Sequence, residues 1–125
     1  GHYTFADYPN GGLRASAHDL ARFLLAHLQG GELDGVRILE QESVDAALSE
    51  QATRSSGPQG WMWYRLSWGG DKWWGHGGAE KGVWTEVFFR ESDKMGFVTL
   101  ANGDANDPNP MYAIQDALMA WAESL

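Results

Sequence analysis

The sequence has 125 residues, a length that allows one domain at most, and we treat residues 1–125 as a single domain. Its formal charge of −8, from 17 acids against nine bases, argues against nucleic acid as a partner, and 43% hydrophobic residues argue against a disordered chain. It contains no cysteine, which excludes disulfides and thiolate chemistry.

The apolar runs and the first residues of the chain leave its cellular location open. No run approaches the roughly 20 apolar residues of a membrane span, and no signal-peptide core is visible, so no membrane partner is expected. The chain begins with Gly1-His2 rather than Met, which raises the expectation of a missing upstream segment.

Helical patterns dominate the first half of the chain. Ser16 lies three residues before Asp19, a capping-box-like start, and apolar residues then recur at helical spacing until Gly30-Gly31. The other predicted features of this half are a lead-in over 1–15 with a turn, a hairpin-like bend at 33–39, a short helix over about 41–51 and a loop at 52–60.

The period changes to two in the second half, which indicates strands. They are predicted at 61–68, 73–78, 83–90 and 96–102, and a last helix with Met111, Ile114, Gln115, Leu118 and Trp121 is predicted to cover one face. Short connections require antiparallel pairing. The predicted class is therefore α+β: an antiparallel sheet of about four strands, with two N-terminal helices and a C-terminal helix packed on it.

A glycine-rich stretch around His76 is the most informative part of the sequence. Glycines flank this histidine on both sides, between two segments rich in bulky aromatic residues. Because glycine lacks a side chain, backbone or a ligand can approach the chain closely there. The stretch therefore predicts a strand whose end faces a cleft.

Four stretches, in this order, resemble the serine β-lactamase-like hydrolases, the group of class C β-lactamases, related esterases and D-peptidases. The stretches are Gly11-Gly12-Leu13 continuing into Asp19-Leu20-Ala21, Gly60-Trp61, Gly75-His76-Gly77-Gly78-Ala79, and Val98-Thr99-Leu100-Ala101-Asn102. The third stretch stands where the family has Lys-Thr-Gly or a His-x-Gly variant. The resemblance covers nearly the whole chain but only the later part of a family domain.

The nucleophile of that family is a serine followed three residues later by a lysine. No serine of this sequence has lysine at that spacing. The residues Tyr8-Pro9-Asn10 have the spelling of the family's Tyr-x-Asn motif, but they adjoin the Gly-Gly-Leu turn and are interpreted as turn residues. A serine hydroxyl needs an adjacent base to attack. The sequence therefore predicts half an active site.

The resemblance also implies roles for five residues. His76 matches the residue that contacts a substrate carboxylate or tunes the charge of the site, and is the candidate catalytic residue. Gly77 stands in the Thr/Ser position, so the usual hydroxyl is missing, which favours an esterase-like or peptidase-like parent. Gly78 keeps the strand open for substrate, the backbone N–H of Ala79 matches an oxyanion-hole donor, and Asn102 matches a polar residue near the far end of the substrate.

Other polar residues are interpreted as structural. His18 and His27 are nine residues apart and do not form an i, i+4 metal pair. Asp104 and Asp107 lack EF-hand spacing. No metal and no cofactor is therefore expected.

Two functions remain open from sequence. The first is a hydrolase fragment that is inactive alone and needs an upstream hydrolase segment. The second is a stand-alone ligand-binding or assembly module, with a tryptophan-rich groove or with a homo-oligomer formed through an exposed sheet edge. The seven tryptophans favour the core over a groove unless Trp73 and Trp74 are exposed.

Overall fold

The computed structural model describes Ala6 and residues 9–55, 57–104 and 106–125. The elements of that part of the chain are α1 Ala17–Leu28, β1 Glu32–Leu33, β2 Val36–Arg37, α2 Gln41–Ala47, β3 Ala52–Arg54, β4 Gly57–Gln59, β5 Tyr64–Trp68, β6 Asp71–Glu80, β7 Val83–Phe89, β8 Gly96–Ala101 and α3 Asn109–Ala122. Seven of the fifteen residues of the predicted lead-in, including Tyr8 of the Tyr-x-Asn spelling, lie outside the described residues, as does Ser56.

The main sheet is an antiparallel meander in the order β3-β4-β5-β6-β7-β8, and β1 pairs with β2 in a separate hairpin. The α+β class and the antiparallel pairing are confirmed, and the sheet has six strands rather than about four. The additional strands arise from the predicted loop at 52–60, where Ala52 pairs with Gln59 and Arg54 with Gly57. The sequence does not predict this hairpin because its residues are polar, and strand pairing at a sheet edge does not require alternating apolar side chains.

Two further boundaries differ from prediction. The second helix ends at Ala47 and the strand β5 begins at Tyr64, because the chain turns sharply between them. The Ala47 carbonyl accepts a 3.1 Å hydrogen bond from the Trp61 N–H, and the Gly60 N–H donates to the Trp63 carbonyl at 2.8 Å. A Cβ on Gly60 would stand 2.0 Å from the Ala47 oxygen, so the turn requires glycine.

The start of α1 follows the sequence signals. Ser16 Oγ accepts a 3.1 Å hydrogen bond from the Asp19 N–H, as the capping pattern predicts. The helix stops at Gly30 and Gly31, whose φ values of 73° and 91° are favourable only for glycine.

A hydrophobic core lies on each face of the sheet. Beneath α1 and α2 are Leu24, Ala47, Trp63, Trp74 and Phe89. Beneath α3 are Trp73, Phe88, Phe97 and Met119. Since neighbouring strand residues point to opposite faces, Trp73 and Trp74 enter different cores, where they are 2% and 4% exposed. These two tryptophans are core residues and do not form an exposed aromatic surface.

The face with which the last helix packs on the sheet agrees only in part with the one predicted. Met111 and Gln115 are buried as predicted, together with Met119, whereas Ile114 and Trp121 are exposed. The polar side chain of Gln115 therefore enters the core side, and an apolar stripe is left on the outside. No helix in the described ranges is long and apolar enough to cross a bilayer.

Candidate functional site

Strand β6 carries four of the five candidate residues consecutively. His76, Gly78 and Ala79 are exposed, and Gly77 is half-buried. Asn102 follows β8 at the end of the sheet where β6 ends. There Ala79 of β6 pairs with Trp84 of β7, which in turn pairs with Ala101 of β8. Two strand spacings place Asn102 about 10 Å from β6. The fold thus groups the β6 residues and leaves Asn102 across β7 from them.

The second half of β6 has one open edge. The last pair between β5 and β6 joins Tyr64 to Gly75, whereas the pairing with β7 continues to Glu80. Among the strands that the structure describes, none lies opposite the β5 side of residues 76–80. We call this segment the open edge of β6.

The backbone groups of Gly77 and Ala79 face this open edge. The β6–β7 turn has two residues, so Glu80 and Val83 form the hydrogen-bonded pair that closes it. Hydrogen-bonded and non-bonded pairs then alternate, which directs the N–H and C=O of Gly77 and Ala79 away from β7. The N–H of Ala79 therefore points to the open side, which is the orientation an oxyanion-hole donor needs.

Tyr64 adds a residue to the site that the sequence did not single out. Its hydroxyl lies beside Gly77, and its ring centroid lies 5.6 Å from that of His76. Burial and, after it, the Glu86 carboxylate raise the pKa of the Tyr64 phenol, so the hydroxyl stays protonated at neutral pH. The one cue in the sequence is its place in the aromatic strand that precedes the glycines.

The glycines of the motif are required by their neighbours. A Cβ on Gly75 would stand 2.0 Å from Cδ1 of Phe88, whose ring lies against the strand. A Cβ on Gly77 would stand 3.1 Å from the Tyr64 hydroxyl oxygen. Gly77 thus leaves the space that the Tyr64 side chain occupies.

A polar network beneath α3 fixes Glu86, the β7 partner of Gly77. Gln115 donates to the Glu86 carboxylate and, at 3.2 Å, to the Thr99 hydroxyl. The indole N–H of Trp84 donates to the other Glu86 oxygen at 3.1 Å. Gln115, the buried polar residue of α3, therefore holds the Glu86 carboxylate on β7, next to the open edge of β6.

Two grooves lie near the start of β6, away from His76. One of about 260 Å³ is lined by His27, Gln41 and Glu91 among others, and one of about 420 Å³ by Arg65 and Trp74 among others. Across the described residues, no three His, Asp or Glu side chains are close enough to hold a metal ion. The candidate residues therefore share a strand edge rather than an enclosed cavity.

Comparison with known families agrees with the motif order and the fold. The family model described as Beta-lactamase matches residues 1–119, a span that includes β6 and its open edge. Neither the curated proteins nor the solved structures gave a significant match. Because the family model covers nearly all of the sequence, the chain belongs to the Beta-lactamase family.

Proposed function

We propose that this chain supplies the substrate-binding strand of a serine β-lactamase-like hydrolase, and that a segment outside these 125 residues supplies the nucleophile. The observation that carries the proposal is the open edge of β6, with His76 exposed on it and the Ala79 N–H directed outward. The absence of any Ser-x-x-Lys spelling from the sequence supports the second part.

In this proposal the acyl group of the substrate lies along the open edge. The carbonyl oxygen accepts a hydrogen bond from the Ala79 N–H, which strengthens as a serine from the other segment attacks and charge develops on that oxygen. Loss of one such donor typically costs about 10²–10³ in kcat. His76 contacts the substrate or the leaving group from the strand, and Asn102 would reach only the far end of a long substrate.

Two exposed features support a missing neighbour. Strand β8 is the last strand of the sheet, and among the strands in the described part of the chain it pairs with β7 alone. On α3, the residues Ile114, Leu118 and Trp121 form an exposed apolar stripe with helical spacing. An edge strand and an exposed apolar stripe of this kind mark a surface that another polypeptide segment covers.

The second candidate function is an assembly module in which a copy of this chain covers the same surface. Charge argues against the copy, because residues 95–125 contain four acids and no lysine or arginine. A symmetric contact through β8 and α3 would bring those acids together. Sedimentation tests the choice: a monomer at micromolar concentration supports the hydrolase proposal, and a stable dimer disrupted by Leu118→Lys supports the module.

Turnover assays test the proposed function directly. The chain alone should hydrolyse neither a chromogenic β-lactam nor a nitrophenyl ester in a serine-dependent way. Fused behind the Ser-x-x-Lys half of a family hydrolase, it should restore turnover, and His76→Ala in that fusion should lower kcat by about tenfold or more. The matched variant His18→Ala, an exposed histidine of α1, should leave kcat unchanged. Fusions that show no activity above the donor half alone would contradict the proposal.

A further inference from the structure

We infer that Tyr64 is a specificity-determining residue of the open edge: its hydroxyl replaces the one that the motif lacks at Gly77 and donates a hydrogen bond to a neutral acyl substrate. The inference rests on the proposed function, because it names a substrate contact at the same edge. It adds a residue that lies on a different strand from the motif.

The geometry places the Tyr64 hydroxyl at the side-chain position of residue 77. Its oxygen is 3.1 Å from the point where a Cβ on Gly77 would stand, on the side of β6 to which the Gly77 N–H is directed. Tyr64 also begins β5, at the point where β5 stops covering β6. Its side chain therefore lies at the start of the open edge, next to residues 76 and 77.

The chemistry of the hydroxyl fits a substrate contact. A tyrosine hydroxyl has one donor and acceptor lone pairs. Among the described residues none accepts a hydrogen bond from it, so the O–H can donate to a carbonyl oxygen on the substrate. The imidazole of His76, 5.6 Å away between ring centroids, lines the same place.

The charge behind Tyr64 selects against anions. The Glu86 carboxylate is held behind Gly77 by Gln115 and Trp84, and it is one of the groups that keep the Tyr64 phenol neutral. No lysine stands at position 76 or 77 to offset this charge. A neutral ester or amide is therefore the substrate class that this end of the edge accepts.

A side chain at residue 77 would crowd the Tyr64 hydroxyl, which would have to shift by a few tenths of an ångström, and this makes a double-variant test possible. In Tyr64→Phe the hydroxyl is removed while the ring remains. In Tyr64→Phe with Gly77→Ser, a hydroxyl returns to the edge from β6 itself. A merely structural role for Tyr64 would not produce recovery of ligand binding by the second substitution.

The experiment is a titration of the isotope-labelled chain with N-acetylglycine methyl ester and with N-acetylglycinate, followed by backbone amide chemical shifts. The ester should shift the Ala79 amide and bind about fivefold more weakly to Tyr64→Phe, and Gly77→Ser added to that variant should recover most of the loss. The carboxylate should bind more weakly than the ester. The Gly77 amide should also shift in Tyr64→Phe without ligand, because the hydroxyl beside it is removed.

The outcomes separate this inference from the proposed function. An ester that shifts Ala79 equally in the unsubstituted chain and in Tyr64→Phe overturns the inference and leaves the proposed function standing. An ester that shifts neither Ala79 nor Gly77 in the unsubstituted chain overturns both. A carboxylate that binds as well as the ester overturns the assigned substrate class.

Discussion

At Gly75 the backbone of β6 leaves no room for a side chain, because the Phe88 ring occupies the place of the Cβ. We expect Gly75→Ala to lower the free energy of unfolding by about 1–3 kcal/mol, through displacement of that ring in the core beneath α3. Gly103→Ala is the matched control, since its Cβ would meet no atom within 4 Å. Urea unfolding measures both, and equal effects would contradict the packing argument.

His27 gives the stability of the chain a pH dependence. Its ring is buried between Phe23 and Trp63, and burial lowers its pKa, although the contact with the Phe23 carbonyl opposes the shift. Because the folded pKa lies below the unfolded value of about 6.5, the stabilisation is present above that pH and is lost as the pH falls through the folded pKa.

Urea unfolding between pH 7.5 and about 5 measures this dependence. The unsubstituted chain should lose stability over that range, and His27→Leu should lose distinctly less. His18→Leu, on the exposed face of α1, should behave like the unsubstituted chain. If His27→Leu loses as much stability over this pH range as the unsubstituted chain, another group causes the pH dependence.

At the scale of elements, Arg90 connects three parts of the fold. Its buried guanidinium pairs with Asp71 at the start of β6, with Asp93 after β7 at 2.6 Å and with Glu123 at the end of α3 at 2.9 Å. Burial alone would lower the pKa of Arg90, but the hydrogen bonds to Asp93, Glu123 and Asp71 raise it above its usual value. The arginine therefore remains charged and fixes the end of α3 to the sheet.

Arg90→Met should therefore weaken both the fold and the attachment of α3. We expect a loss of about 1.5–3 kcal/mol in unfolding free energy, the range for hydrogen bonds to charged groups. The amides of α3 should exchange with solvent faster than those of α1. Arg54→Met, on the exposed strand β3, serves as the control. Uniform exchange rates in α3 and α1 would argue that Arg90 does not hold the helix.

Elements with strong local signals could be predicted from the sequence, and elements fixed by tertiary contacts could not. The start of α1 and its glycine stop were predictable because each depends on residues within one turn. The β3–β4 hairpin was not, because its residues are polar and its pairing depends on β5. The exposure of Ile114 and Trp121 on α3 was not either, since the apolar pattern of the helix alone does not show that Met111, Gln115 and Met119 form the packed face.

The same division applies to the site. His76 and its glycines could be found from their order in the sequence, because a contiguous motif survives without knowledge of the fold. Tyr64 could not, since its hydroxyl reaches Gly77 only through the pairing of β5 with β6. Likewise, the direction of the Ala79 N–H toward the open edge can be inferred only from the register of the β6–β7 hairpin.

For the whole molecule, the account predicts that the surface around β8 and the outer stripe of α3 serves association rather than stability. Leu118→Lys should change the unfolding free energy of the chain alone by less than about 0.5 kcal/mol, because the side chain is already partly exposed. The same substitution should weaken association when the Ser-x-x-Lys half of a family hydrolase is supplied as a separate chain. Lys94→Ala, on the β7–β8 turn, is the control for surface charge. If Leu118→Lys leaves association unchanged, the partner binds a surface other than β8 and the outer stripe of α3.

The central claim is that these residues hold an acyl carbonyl while the attacking oxygen comes from outside them. Intact-mass analysis after treatment with a fluorophosphonate tests it most directly. The account predicts that the chain alone gains no adduct, and that the fusion with a Ser-x-x-Lys half gains one, on the serine of that half. A stable adduct on any serine of the chain alone would contradict the account.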